Sequence, residues 1–290
     1  MTSSLVNPLS FQLGDTGVIL NDDLILPNQP FIDISKVSGL DNAPYRETKR
    51  DHEGTDGGFL DAEFETGRDI TLEGTVFNGT ALLEPYLDSL KANFAPVTTP
   101  IPFYFTTESG LQRQVFVKPR GAKYTWDANR RVNQIPIQFL LYAEDPRIYD
   151  TFINDYTIPL GPASTTGFSF NLSFSFGFGA SSTGPDGQYI FNNGNRPTPA
   201  VMTITGPVVN PEIINDNTGD ILQFNLTLGS TDILVVDLQY HTVRLNGTTN
   251  RRNTLLAPNW FLFPPGATFI RFRGDSGTGT LNIQCRNAWR

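Results

Sequence analysis

In the stretch FLDAEFETG, three acids, Asp61, Glu63 and Glu65, alternate with Ala62 and Phe64. On a strand that spacing puts all three carboxylates on one face. Paired carboxylates are what glycoside hydrolysis needs, one to protonate the leaving group and one to attack or to activate water. The same alternation also describes a half-buried strand with a wet acidic side, and nothing nearby sets one acid apart as the proton donor. DHEGTDGG, beginning at Asp51, resembles a calcium loop. Its glycine after the third acid falls one place late, and the twelfth position, Ala62, lacks the bidentate carboxylate such a loop requires. His52 and His241 lie far apart, neither beside a serine or cysteine in a nucleophile's context. GFGASSTG has glycines but no following Lys-Ser/Thr, so it reads as a flexible turn rather than a phosphate cradle. Arg251 and Arg252 follow the Asn246-Gly247 turn in YHTVRLNGTTNRRN, with no wider basic cluster, and suit a protein partner or a solvated turn better than nucleic acid. No residue is assigned to catalysis, to a cofactor or to a metal.

Charge narrows the classes further. Residues 1–150 carry 13 Lys+Arg against 21 Asp+Glu, a net of −8, whereas residues 151–290 carry 8 against 8, with no lysine after Lys123. Affinity for phosphate comes from neutralising Lys and Arg, so an acidic half argues against gripping nucleic acid. One cysteine, Cys285, excludes an intrachain disulfide and a multi-cysteine zinc site. The opening MTSSLVNPLSFQLGD lacks the basic and apolar regions of a signal peptide, and the expectation is a cytosol-like place of synthesis. The sequons at Asn78, Asn171, Asn225 and Asn246 then read as turns and strands. No run is long and apolar enough for a transmembrane helix.

The elements that must position these residues are mostly strands. With 26 Gly, 21 Pro and 22 Phe, the composition is that of many turns and aromatic-filled sheets. The charge asymmetry marks a boundary, giving an N-terminal domain over 1–150 and a C-terminal domain over 151–290. The first reads as strands plus one helix: Leu83, Tyr86, Leu87, Leu90 and Phe94 recur at three and four residues, and Pro85 suits a first turn. Residues 38–58 are charged, turn-rich and nearly without aliphatics, which predicts a long exposed loop or arm and a candidate contact element. RQVFVKPR and KYTW read as separate strands. In the second domain Phe168, Phe170, Leu172, Phe174, Phe176 and Phe178 alternate with small or polar residues. AVMTITG, ILQFNLTL, DILVVDLQY, TVRLNG, NWFLFPPG, TFIRFRG and TLNIQC continue as strands of an antiparallel sandwich. The fold class is mainly β.

Several of these stretches together resemble a family, the distal tail proteins of long non-contractile-tailed bacteriophages, also called minor tail proteins. The residues that carry the resemblance are SGLDNAPYRET, DGGFLDAEFETGRDITLEGTVFNG with the helix after it, IPIQFLLYAEDPRIYD, NNGNRPTPAVMTITGPVVNPEIINDNTGDILQFN, LVVDLQYHTVRLNGTTNRR, and NWFLFPPGATFIRFRG with CRNAW. They span most of the chain in the family's order. The resemblance implies a non-enzymatic virion protein of the tail tip (baseplate), made in the host cytoplasm. Its N-terminal domain would form a homohexameric ring, and its C-terminal domain would be a galectin-like sandwich. The implied partners are the tail tube protein, the tail-tip hub protein, the tape measure protein and receptor-binding proteins. DNA would pass through the ring without specific binding, and no membrane is involved. Acids lining that passage would repel phosphates, although they would serve solubility equally well. Two other classes stay open: a carbohydrate-binding lectin-like module contacting the host surface, and a glycoside hydrolase using the acids near Glu63. A lectin needs exposed aromatic platforms, and Trp126, Trp260 and Trp289 sit in a strand, in an alternating apolar run and at the C-terminus.

Overall fold

The computed structural model describes residues 10–15, 19–21, 30–60, 64–77, 83–107, 109–125, 134–161 and 187–290. Asp61, Glu63, Trp126, the alternating phenylalanines 168–178 and GFGASSTG lie outside these residues. The chain divides into two compact units, one of Met1–Thr151 with Trp289–Arg290, the other of Phe152–Ala288.

In the N-terminal unit Phe31–Ser38, Arg68–Phe77, Gln134–Ala143, Gln112–Tyr124, Ile101–Thr106, Phe11–Leu13 and Ile19–Leu20 hydrogen-bond side by side in that order. Each pair is antiparallel. Alternation decides which face is dry: Ile70, Leu72 and Val76 on one strand and Ile135, Ile137, Phe139 and Leu141 on its neighbour are buried, whereas Thr71, Glu73, Pro136, Gln138 and Leu140 between them are not. The expected two strands around Lys118 and Tyr124 are one. Gln112–Tyr124 pairs first with Ile101–Thr106 and then with Gln134–Ala143, and the ladder shifts between Pro119 and Gly121. Gly121 sits at φ 116°, which lets the strand bulge and turn onto the second partner without ending. The helix forms at Leu83–Asn93, with Glu84 in its first turn and Lys91 in its last, where each complements the helix dipole. Its apolar stripe buries Leu83, Leu87 and Leu90, and beyond its end Phe94 stacks on Phe139 with ring centroids 4.0 Å apart. Each of these side chains contributes about 1.5–3 kcal/mol by burial.

The C-terminal unit is the expected antiparallel sandwich. One sheet runs Asn154–Pro159, Thr280–Cys285, Ala200–Thr205, Ile233–Asp237, Thr242–Leu245, Thr249–Asn250. The other runs Gly187–Asn192, Gly266–Arg273, Glu212–Asn215, Asp220–Phe224, Leu255–Pro258. Met202, Ile204, Leu234, Val236, Leu281 and Ile283 of the first meet Ile190, Ile213, Leu222, Phe224, Ile270 and Phe272 of the second in one core. NWFLF, expected as a strand, is not one. The ladder ends at Pro258, the Trp260 amide turns back to the Pro258 carbonyl at 3.0 Å, and Phe261 and Phe263 both go inward, edge to face. Asn192 is wholly buried yet satisfied: its amide donates to the Arg196 and Phe263 carbonyls, and its oxygen accepts from Gly194 and Ala288. Cys285 lies in this core, where burial pushes its thiol up to about 11.

Candidate interaction surfaces

Residues 38–58 do not form a loop. The strand Phe31–Ser38 leads into a hairpin arm in which Tyr45–Arg46 pairs with Phe64–Glu65, and Lys49–Asp51 pairs with Gly58–Leu60. At its tip the His52 amide bonds the Gly57 carbonyl at 3.0 Å, with Gly54 and Gly57 at positive φ. A two-stranded ribbon has no second layer, so its apolar side chains have nothing to cover them. Tyr45, Phe59 and Phe64 are 47, 61 and 57% exposed. His52 leans on Phe59 with centroids 4.0 Å apart, and Arg46 lies over the Phe64 ring at 5.7 Å.

The arm's root is built differently. Arg68, at the start of its strand, is fully buried, and its guanidinium donates to the carbonyls of Gly39, Asp41 and Pro146. Burial outweighs the help of the nearby Asp41 and Asp145 carboxylates, so its pKa falls from the ordinary value. Pro146 belongs to a turn that is itself tied: the Tyr149 hydroxyl donates to Asp145 at 2.5 Å, and Arg147 donates to the same carboxylate at 3.0 Å. Burial first, and then the Asp145 charge, raise the Tyr149 pKa well above its usual value. Gly39 completes the root: its φ is 89°, and a Cβ there would come within 2.0 Å of the Asp69 carbonyl oxygen. Thr66 closes the other side, its amide and hydroxyl both donating to the Pro44 carbonyl.

Of the three alternating acids only Glu65 is described. Its largely buried side chain faces the Tyr45 hydroxyl at 3.4 Å and Arg290 at 3.9 Å. Trp289 also returns to this unit, donating to Asp150 at 2.7 Å beneath the Arg113 guanidinium, 4.1 Å from its ring centre. Among the described residues no three His, Cys, Asp or Glu are grouped to hold a metal. No described helix is long and apolar enough to cross a membrane.

On the C-terminal unit the Asn246-Gly247 turn is as expected, with both residues at positive φ. Asn246 holds it twice, accepting from the Ile233 amide at 2.9 Å and donating to Asp232 at 3.0 Å. These bonds, first from Asn246 and then from the Gly229 amide, pull the Asp232 pKa down. His241 does not end a strand but sits at φ 52° in the turn after Ile233–Asp237. Its ring lies flat on Trp260, 4.6 Å away and 15° from parallel, and Arg252 lies 6.0 Å from the centre of the same ring. The pair is separated by too many residues for spacing to reveal it. A sugar stacking on Trp260 would find that face already occupied by His241.

Residues 193–289, about a third of the chain, match the family model for the siphovirus-type tail component, C-terminal domain. Among solved structures the chain is similar to the Dit (gp 19.1) protein of phage SPP1, described as a paradigm of the hub adsorption apparatus in phages infecting Gram-positive bacteria. The two share 15% identity at a TM-score of 0.64, over 95% of this chain and 97% of that one. A chain of the phage P2 baseplate in its calcium-activated conformation matches at 12% identity and a TM-score of 0.47, over 95% and 97%. No curated protein sequence matches. The chain therefore has the mainly β fold of the SPP1 Dit protein.

Proposed function

We propose that this protein is a non-enzymatic component of a siphovirus tail tip. In this reading it is assembled in the host cytoplasm as a hexameric ring that joins the tail tube to the central hub and the host-recognition proteins, and the genome leaves through the ring. The observation that carries the reading is the arm. A hairpin that exposes three large aromatic side chains while a buried arginine fixes its base gains its missing apolar contacts from a neighbouring surface, and repeated subunits in a closed ring supply that surface in every copy. The one described acid of the alternating set faces a tyrosine and an arginine, and both histidines lie against aromatic rings.

Light scattering on the full chain tests the reading. A mass of six copies, or a concentration-dependent rise toward it, is expected, and the double variant Phe59→Ser, Phe64→Ser should remain monomeric. A wild-type chain that stays monomeric at every concentration and forms no ring with tail tube or hub protein would overturn it. Sugar release from a host polysaccharide, lost in Glu65→Gln, would overturn the non-enzymatic part.

A further inference from the structure

The turns of the C-terminal unit bring together a group of basic side chains. From Leu238 to Pro265 the sequence has no Asp or Glu, but it has Arg244, Arg251, Arg252 and His241. Arg244 stands across the ladder from Asn250, and the Asn250 side chain accepts from the Arg252 amide at 2.9 Å. The Arg251 amide bonds the Val243 carbonyl at 2.9 Å, and Thr254 closes a short turn back onto Arg251 through both its amide and its hydroxyl. The Asp237 carboxylate is spent on the Gln239 and Tyr240 amides, which fixes the turn that carries His241. Hydrogen-bonded turns therefore place an imidazole and a guanidinium at one half-buried tryptophan. Among the described residues no carboxylate forms an ion pair with Arg244, Arg251 or Arg252, although Arg147, Arg271 and Lys118 all have one.

We propose that this surface is a docking site for an acidic segment of another protein. The argument is charge complementarity on a prearranged frame. A guanidinium within cation–π reach of an aromatic ring is biased toward that position, and its N–H groups form the planar fork that matches a carboxylate. Arginines without an ion-pair partner among the described residues make a local positive field on a chain whose net charge is −8. A neutral glycan is disfavoured because His241 covers the ring it would stack on. A nucleic acid is disfavoured because the positive surface is confined to one strand and turn. The proposal goes beyond the tail-tip reading and does not depend on a ring.

The test uses the full chain and a fluorescein-labelled oligo-glutamate peptide, with binding followed by anisotropy. Saturable binding that weakens as salt rises is expected, with an affinity loss of about tenfold or more in Arg251→Gln, Arg252→Gln. No change is expected in Arg120→Gln, on the other unit. Arg252→Lys keeps the charge but loses the planar fork, and a severalfold loss is expected there, which separates a built site from charge alone. Absence of saturable binding, an equal loss in Arg120→Gln, or wild-type affinity in Arg252→Lys would overturn the proposal. So would tighter binding of polyphosphate or of a neutral oligosaccharide, which would assign the surface to a different ligand. A self-association of the chain abolished by Arg251→Gln, Arg252→Gln would assign it to a second copy and overturn it equally. The ring is scored separately, as the mass of the chain without peptide, so the two readings fail independently.

Discussion

The arm of the N-terminal unit and the Asn246-Gly247 hairpin of the C-terminal unit are both antiparallel turns, but they place their hydrogen bonds and their apolar groups differently. In the Asn246 turn a single side-chain amide satisfies the backbone of Ile233 and the carboxylate of Asp232, and the paired strand buries Val243 in the sandwich core. The turn is finished within its own unit. In the arm the polar work is done at the root, by Arg68 and Gly39, and the aromatic side chains farther out stay exposed. Local closure marks a hairpin that the fold needs. A rigid base under an uncovered ribbon marks one held ready for something else.

That contrast can be broken most forcefully at its buried charge. Arg68→Leu removes the donor to three carbonyls and should cost about 3–5 kcal/mol, comparable to deleting one partner of a buried polar pair. Hydrogen exchange should accelerate at Gly39–Pro44 and Thr66, with the C-terminal unit unaffected. Uniform acceleration across both units would mean that the root is not a local device.

Alkaline titration sharpens the comparison next. The Cys285 thiol has its folded pKa raised to about 11 from 9.0, and the Tyr86 hydroxyl has its own raised to about 12 from 10.0, in each case by burial. A group whose folded pKa lies above its unfolded one contributes stability that is full below the unfolded value and is lost as pH climbs through the folded one. At about 1.4 kcal/mol per unit, the buried Cys285 stands to lose about 2–3 kcal/mol, and the more exposed Tyr86 less. The C-terminal unit, with Cys285, should weaken first, between pH 9 and about 11, and the N-terminal unit about one unit later. Segment-resolved unfolding by fluorescence and exchange reads the order; simultaneous or reversed loss contradicts it.

A smaller change tests the Asn246 turn. Asn246→Ala leaves the Ile233 amide without its side-chain acceptor and puts a residue that disfavours φ 51° in that position, for a loss of about 1–2 kcal/mol in thermal unfolding of the C-terminal unit. A neutral result would show that the turn is held by Gly247 and the ladder alone. Smallest of all, Phe59→Ser should change the stability of the isolated chain by less than about 0.5 kcal/mol, because an exposed ring has little burial to lose. A larger loss would show that the arm is packed on its own subunit.

Much of this architecture was legible in the sequence because periodicity reports burial. The helix from Leu83 and the alternating strands around Ile70, Ile137 and Ile204 each bury the face their spacing predicts. Spacing failed where tertiary context overrode it. NWFLF alternates like a strand, and Phe261 and Phe263 do share the inward face, but the chain turns at Pro258 and only an isolated bridge from Thr198 to Phe263 follows in place of a ladder. The arm was legible as an exposed element and not as a hairpin, since paired segments of two or three residues are too short to show a period. Arg68 reads like any charged residue at the start of a strand, because its burial is decided by carbonyls 27 to 78 residues away. The stack of His241 on Trp260 left no sequence signal for the same reason.

The return of Trp289 to the N-terminal unit has a consequence for the order of events during synthesis. Domains emerging from a ribosome generally fold from the N-terminus onward, and residues 1–151 leave long before residue 289 does. The Asp150 carboxylate and the Arg113 guanidinium must therefore wait, without the indole that they grip in the finished protein, until the whole of Phe152–Ala288 has been translated. A polypeptide released early lacks this last piece of its first unit. A chain that stalls before Trp289 therefore carries its defect in the unit that was translated first.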